Sequence, residues 1–212
     1  MITSHIYFFM VMNFFFFLSI IPSLVWLLLL EPSLLNVIPL SFIGPSLTAL
    51  ICCMIKFKET DFDKEDFPTA LDFKYFYKKN FFDTLKFWLP YVVLMSVLYI
   101  NVTYFDGNPT VRVVVIVVAM IGSVIGTLSI TYVLVINSKF KFGVKDLFRL
   151  GMFYILTDIK ATISIVVVYF LALVVAVFIS EFLLLLTVSV TGYLLVKYTY
   201  SVLEHVRNRF IN

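Results

Sequence analysis

Charge is what this sequence has least of. Only 14% of its 212 residues are Asp, Glu, Lys or Arg, while 62% are hydrophobic and 18% aromatic; an ordinary soluble domain carries roughly a quarter charged and half apolar residues. At a mean hydropathy of +1.04, too few polar residues remain to cover a globular enzyme. The same balance excludes a disordered regulator and a secreted disulfide scaffold. Cysteine is nearly absent: Cys52 and Cys53 are neighbours, which point about 100° apart on a helix. They offer neither a disulfide nor a four-ligand zinc site and are expected to pack. The two histidines, His5 and His205, lie at opposite ends of the chain without a Glu-x-x-His spacing, so a helix-borne metal site has no ligands. A Gly-rich phosphate loop, a Gly-x-Ser-x-Gly elbow and a carboxylate pair in apolar surroundings are also missing. The reading is therefore no catalytic residues, no metal, no cofactor and no enzymatic activity. With 16 basic residues nearly balanced by 13 acidic ones, no nucleic-acid partner is expected.

What the chain does have is long runs free of charge. A membrane span needs roughly 20 apolar residues, and six fit: about 6–30, 33–55, 87–105, 113–137, 161–180 and 182–200. Continuous runs rather than alternation exclude a β-barrel. The fold class is all-α, a single polytopic membrane domain over 1–212. The start, Met1 to Met10, lacks the basic residues of a secretory signal, so the first run is expected to be a retained helix. Of the 16 Lys and Arg residues, 15 fall on one side of these spans and only Arg112 on the other. This positive-inside pattern places both termini and the two long loops in the cytoplasm.

Span two contains Pro39 and the turn Gly44-Pro45-Ser46. Proline removes a backbone donor, so the span should be bent or broken. The stretch from Gly44 to Phe57 covers only about 20 Å. Two readings stand: a kink whose freed groups are satisfied by Ser41, Ser46 or Thr48, or a broken helix lining a solute cavity. Deep charge is scarce, and Lys197 is expected to snorkel beside Tyr198 and Tyr200.

Two amphipathic stretches flank the spans on the charged side. Pro68-Thr69 with Asp72 reads as a capping signal, starting an interfacial helix over about 69–82 with Phe73, Phe76, Tyr77 and Phe81 on one face. Asn80 falls inside that face, where an amide needs a partner, either protein or a headgroup and water. A second interfacial helix, about 144–158, carries Val144, Leu147, Phe148, Met152 and Ile155 on its apolar face, with Gly151 among them and Lys145, Asp146 and Arg149 off it. The two form a candidate docking surface; the alternative is helices lying in the lipid interface near anionic headgroups. Gly122 and Gly126 in span four form a small-xxx-small motif for close helix packing, internal or between copies.

In their order along the chain, Gly44-Pro45-Ser46, Ala49-Leu50, Lys56, Phe73, Phe76 and Lys78-Lys79-Asn80-Phe81, leading into a span near Trp88, resemble the YesL-like family of bacterial membrane proteins of unknown function. The resemblance runs over roughly residues 10–100. It departs in span one, where Trp26 lies nineteen residues before Pro45. It implies a multi-pass protein of the cytoplasmic membrane, mostly of Gram-positive bacteria, whose genes often lie beside those of carbohydrate ABC importers. The expected role is accessory or assembly subunit of such an importer, with the lipid bilayer and the importer's permease subunits as partners. The alternative is a small stand-alone transporter or channel built on span two.

Overall fold

In lipid every backbone N–H and C=O must find its partner inside the chain, so charge-free runs fold as helices. The computed structural model bears this out. It describes residues 2–29, 34–60, 69–105, 107–178 and 181–210, the side chains of residues 2–4, 34 and 181–186 excepted. Residues 30–33, where the expected spans one and two meet, residues 179–180 at the end of span five, and Pro68 of the capping signal lie outside the described residues. In chain order the helices are α1 (Ile2–Leu29), α2 (Val37–Ser41) preceded by a 3₁₀ turn at Leu34–Asn36, α3 (Ile43–Glu59), α4 (Ala70–Tyr104), α5 (Pro109–Lys139), α6 (Val144–Thr157), α7 (Ile159–Phe178) and α8 (Glu181–Phe210). Among the described residues there is no strand. Among the described residues five segments are long and apolar enough to cross a membrane: α1 from His5, α2 with α3, α4, α5 and α7. The expected sixth span falls within α8. The protein is an all-α polytopic membrane protein.

α3 forms the centre, packing against α1, α4, α5 and α8, while α7 packs mainly along α8. α1 shows how the helices orient. Phe8, Met12, Phe16 and Ile20 recur every four residues as a buried stripe, with Asn13 and Ser23 beside it, whereas Phe14, Leu18 and Val25 face outward. Side chains four apart share a helix face, and outward apolar residues are what a hydrocarbon solvent favours.

Local signals set the helix ends. The Thr69 backbone N–H donates to Asp72 Oδ2 at 2.8 Å, half of a reciprocal capping box at the start of α4. Asn108 Oδ1 accepts from the Thr110 N–H at 2.9 Å with Pro109 as the first residue of α5. Asp158 closes α6 and starts α7, accepting from the Ala161 N–H at 3.1 Å and from the Ser201 hydroxyl at 3.2 Å.

Two expectations are corrected. The segments read as an interfacial helix (69–82) and a separate third span (87–105) form one uninterrupted helix of 35 residues, about 52 Å long. The intervening Asp83, Thr84, Leu85 and Lys86 include no glycine or proline to stop it. Asp83 and Lys86 also pair across one turn at 3.0 Å, and Pro90 lies inside the helix without ending it. Likewise the break in span two is not at Gly44-Pro45-Ser46. It falls at Phe42, whose N–H bonds Pro39 O at 3.2 Å, and Pro45 occupies the first turn of α3, where a missing N–H costs little.

Candidate functional site

The polar residues gather where α3, α4, α5 and α8 meet at the charged end. Asn80 is the hub and is buried. Its amide nitrogen donates to the Phe76 carbonyl at 3.0 Å and to Cys52 Sγ at 3.6 Å, and its oxygen accepts from Lys141 Nζ at 2.8 Å. Lys141 also reaches Asp83 at 3.1 Å. Cys52 in turn donates to the Ser138 carbonyl at 3.6 Å. One turn further, Lys56 pairs with Asp72 at 2.9 Å. Glu59 accepts from Lys139 and from the Tyr200 hydroxyl, the latter at 3.0 Å, and Lys58 sits 3.6 Å over the Tyr200 ring. A cleft of about 400 Å³ opens among Cys52, Lys56, Glu59, Thr60 and Lys139.

Chemically this is a brace. Each cation named has a carboxylate, an amide or an aromatic ring, and the thiol hydrogen of Cys52 is committed to a carbonyl. Among the described residues no three His, Cys, Asp or Glu side chains cluster as metal ligands. Lys197 is exposed, as a snorkelling side chain would be.

The apolar face predicted for docking is turned largely into this chain. Phe73 is buried, 6.4 Å from the Phe15 ring, and Phe76 and Tyr77 pack against the core. Phe81 stands 6.1 Å from Phe42. What this part of α4 leaves outward is Leu71, Tyr75 and Phe82, exposed by 75%, 56% and 75%, with Lys74, Lys78 and Lys79 exposed among them.

Gly44, Pro45 and Ser46 are all buried. A Cβ on Gly44 would lie 2.3 Å from Trp88 Cγ, so glycine here admits an indole, whose Nε1 donates to the Leu40 carbonyl at 2.9 Å. Ser46 donates to the Phe42 carbonyl at 3.2 Å and lies 2.8 Å from the Ser19 hydroxyl of α1. Ser41 donates to the Val37 carbonyl, and Thr48 accepts from Thr84 at 3.0 Å. The break is thus tied to α1 and α4. Beside it runs a groove of about 490 Å³, walled by Leu40, Trp88, Tyr91, Met95 and Tyr99.

Gly122 and Gly126 both face α4. A Cβ on Gly126 would meet the Met95 methyl at 2.5 Å, and one on Gly122 would meet Leu98 at 3.4 Å. In α6 the packed edge is Leu147, Leu150, Gly151 and Tyr154, with Gly151 so close that its Cβ would lie 2.9 Å from the Ser129 carbonyl of α5. Met152, expected on that face, is 47% exposed. Burial pushes the Tyr154 phenol above its usual range, which keeps it protonated.

Sequence reasoning missed Trp88 as the partner of Gly44, the Thr48–Thr84 pair, and the clamp between the first and last helices. In that clamp Asn13 donates to Ser189 Oγ at 2.7 Å, and the Ser189 N–H donates to Asn13 Oδ1 at 2.9 Å. An amide inside an apolar run was the available signal for Asn13, since such groups in membrane helices seek a partner across an interface.

Comparison with known proteins adds a family likeness over part of the chain. No curated protein and no solved structure matches. Residues 9–102 match the family described as "Protein of unknown function, DUF624", a stretch that runs from α1 nearly to the end of α4 and includes Gly44, Trp88, Asn80 and the first half of the brace.

Proposed function

We propose that this protein is a non-enzymatic accessory or assembly subunit of a carbohydrate ABC import system in a bacterial cytoplasmic membrane, acting by association with the permease subunits. The reading rests on the YesL-like resemblance, with which the DUF624 match is consistent, and one structural observation carries it further. The first turns of α4 present Leu71, Tyr75 and Phe82 outward among Lys74, Lys78 and Lys79, a mixed apolar and basic surface that is exposed among the described residues. Interfaces favour aromatic anchors beside charge of one sign.

The test is mild-detergent affinity purification followed by mass spectrometry. Importer permease subunits should co-purify, and Tyr75→Ala/Phe82→Ala should reduce their recovery. Recovery of the protein alone, together with solute flux in liposomes, would instead favour a small transporter or channel. The groove beside Trp88 supports that second reading. Orientation is checked separately by single-cysteine labelling in a background lacking Cys52 and Cys53: Asn108 should react from outside and Lys141 only after permeabilisation.

A further inference from the structure

A second groove, of about 580 Å³, lies between α6 and the end of α8, and the brace does not use it. Its walls are apolar: Phe142, Leu150, Phe153 and Phe210. Two arginines line it from different helices, Arg149 from α6 and Arg209 from α8. Among the described residues neither forms an ion pair. Asp146 also lines the groove, leaving a net charge of one positive unit.

We propose that this groove binds an anionic phospholipid, its phosphate held by Arg149 and Arg209 and an acyl chain lying along the phenylalanine wall. Three observations select lipid over other occupants. The guanidinium fork matches phosphate oxygens in a bidentate geometry, and a site with two of them and one carboxylate is complementary to a singly charged headgroup. The ligand must also be amphiphilic, because the walls are aromatic and apolar while the charge comes from the arginines. Finally, Phe153 is itself partly exposed, with Met152 and Leu156 outward on the same helix, and the adjoining α7 carries Ile159, Ile163, Val166 and Phe170 outward. The groove therefore adjoins the surface that faces acyl chains, at the charged end where headgroups lie. A free phosphate would use the arginines and leave the wall uncovered.

The experiment uses the full chain purified in mild detergent, with native mass spectrometry and thermal unfolding as readouts. Phosphatidylglycerol, phosphatidylcholine with the same acyl chains, and inorganic phosphate are added separately. Phosphatidylglycerol should remain bound and raise the unfolding temperature, whereas phosphatidylcholine and phosphate should do neither. Arg149→Gln/Arg209→Gln should weaken phosphatidylglycerol retention about thirtyfold, and each single variant about fivefold, as expected for basic residues that each contact an anionic headgroup. Arg149→Lys/Arg209→Lys, which keeps both charges, should retain most of the binding, and Lys78→Gln/Lys79→Gln on α4 should retain all of it. The single and lysine variants keep the test open should the double glutamine variant fail to fold. Equal retention of the two lipids, stabilisation by phosphate alone, or unchanged retention in the glutamine variants would overturn the proposal. So would a co-purifying protein lost from those variants while lipid retention is unaffected.

Discussion

α3 and α7 are both apolar helices of similar length, and they meet opposite surroundings. About 72% of the apolar window in α2–α3 is buried, against 17% in α7. Yet α7 is the more uniformly hydrophobic, rich in Val, Leu, Ile and Phe, while α3 carries Gly44, Ser46, Thr48, Cys52 and Cys53. In water the greasier helix would be the core. In lipid the order reverses, because bulky apolar side chains gain nothing by leaving hydrocarbon, whereas small residues let backbones approach and polar ones find partners. The interior face of α3 accordingly sets small and polar residues, Gly44, Ser46 and Thr48, beside large apolar ones such as Leu50, Met54 and Phe57.

That contrast can be broken most forcefully at Gly44. Gly44→Leu drives side-chain atoms into the Trp88 ring, and overpacking of this kind costs about 3 kcal/mol, seen as a large fall in unfolding temperature in detergent. Adding Trp88→Ala should restore part of it; no restoration would mean that the glycine serves something other than the indole. Next comes Asn80→Leu, which removes the amide that accepts from Lys141 and donates to Cys52, leaves Lys141 only Asp83, and should cost about 1–3 kcal/mol, while Lys78→Gln on the outer face leaves the melting curve unchanged. A neutral or stabilised Asn80→Leu would make that face an ordinary lipid anchor. Glu59→Gln removes a half-exposed pair with Lys139 and should cost less than about 1 kcal/mol, diminishing further in high salt. Smallest of all is Phe170→Leu on α7, 63% exposed, expected within about 0.5 kcal/mol of the parent. A large effect there would mean that α7 has a protein neighbour.

The helices themselves were legible because apolar run length, caps and charge sidedness are local properties. Thr69, Asp72 and Asn108 sit where their chemistry places helix ends. Asn80 was legible as a group in need of a partner, but Cys52, Lys141 and Phe76 as those partners were not, since the first comes from α3 and the second from the connection between α5 and α6. Gly44-Pro45 was misread for a physical reason: glycine and proline in sequence look like a turn, and only the tertiary structure shows an indole filling the glycine's place. The continuity of α4 was hidden similarly. Charged residues between two apolar stretches look like a loop, but on a helix they simply alternate with the buried Thr84.

The clamp between Asn13 and Ser189 joins residues 176 positions apart, and this has a bearing on biosynthesis. α1 is translated well before α8, so the serine its amide pairs with is not yet made when α1 emerges. Until Ser189 is made, the Asn13 carboxamide lacks the partner it has in the folded chain. The α1–α8 contact therefore forms only after the helices between them have been made.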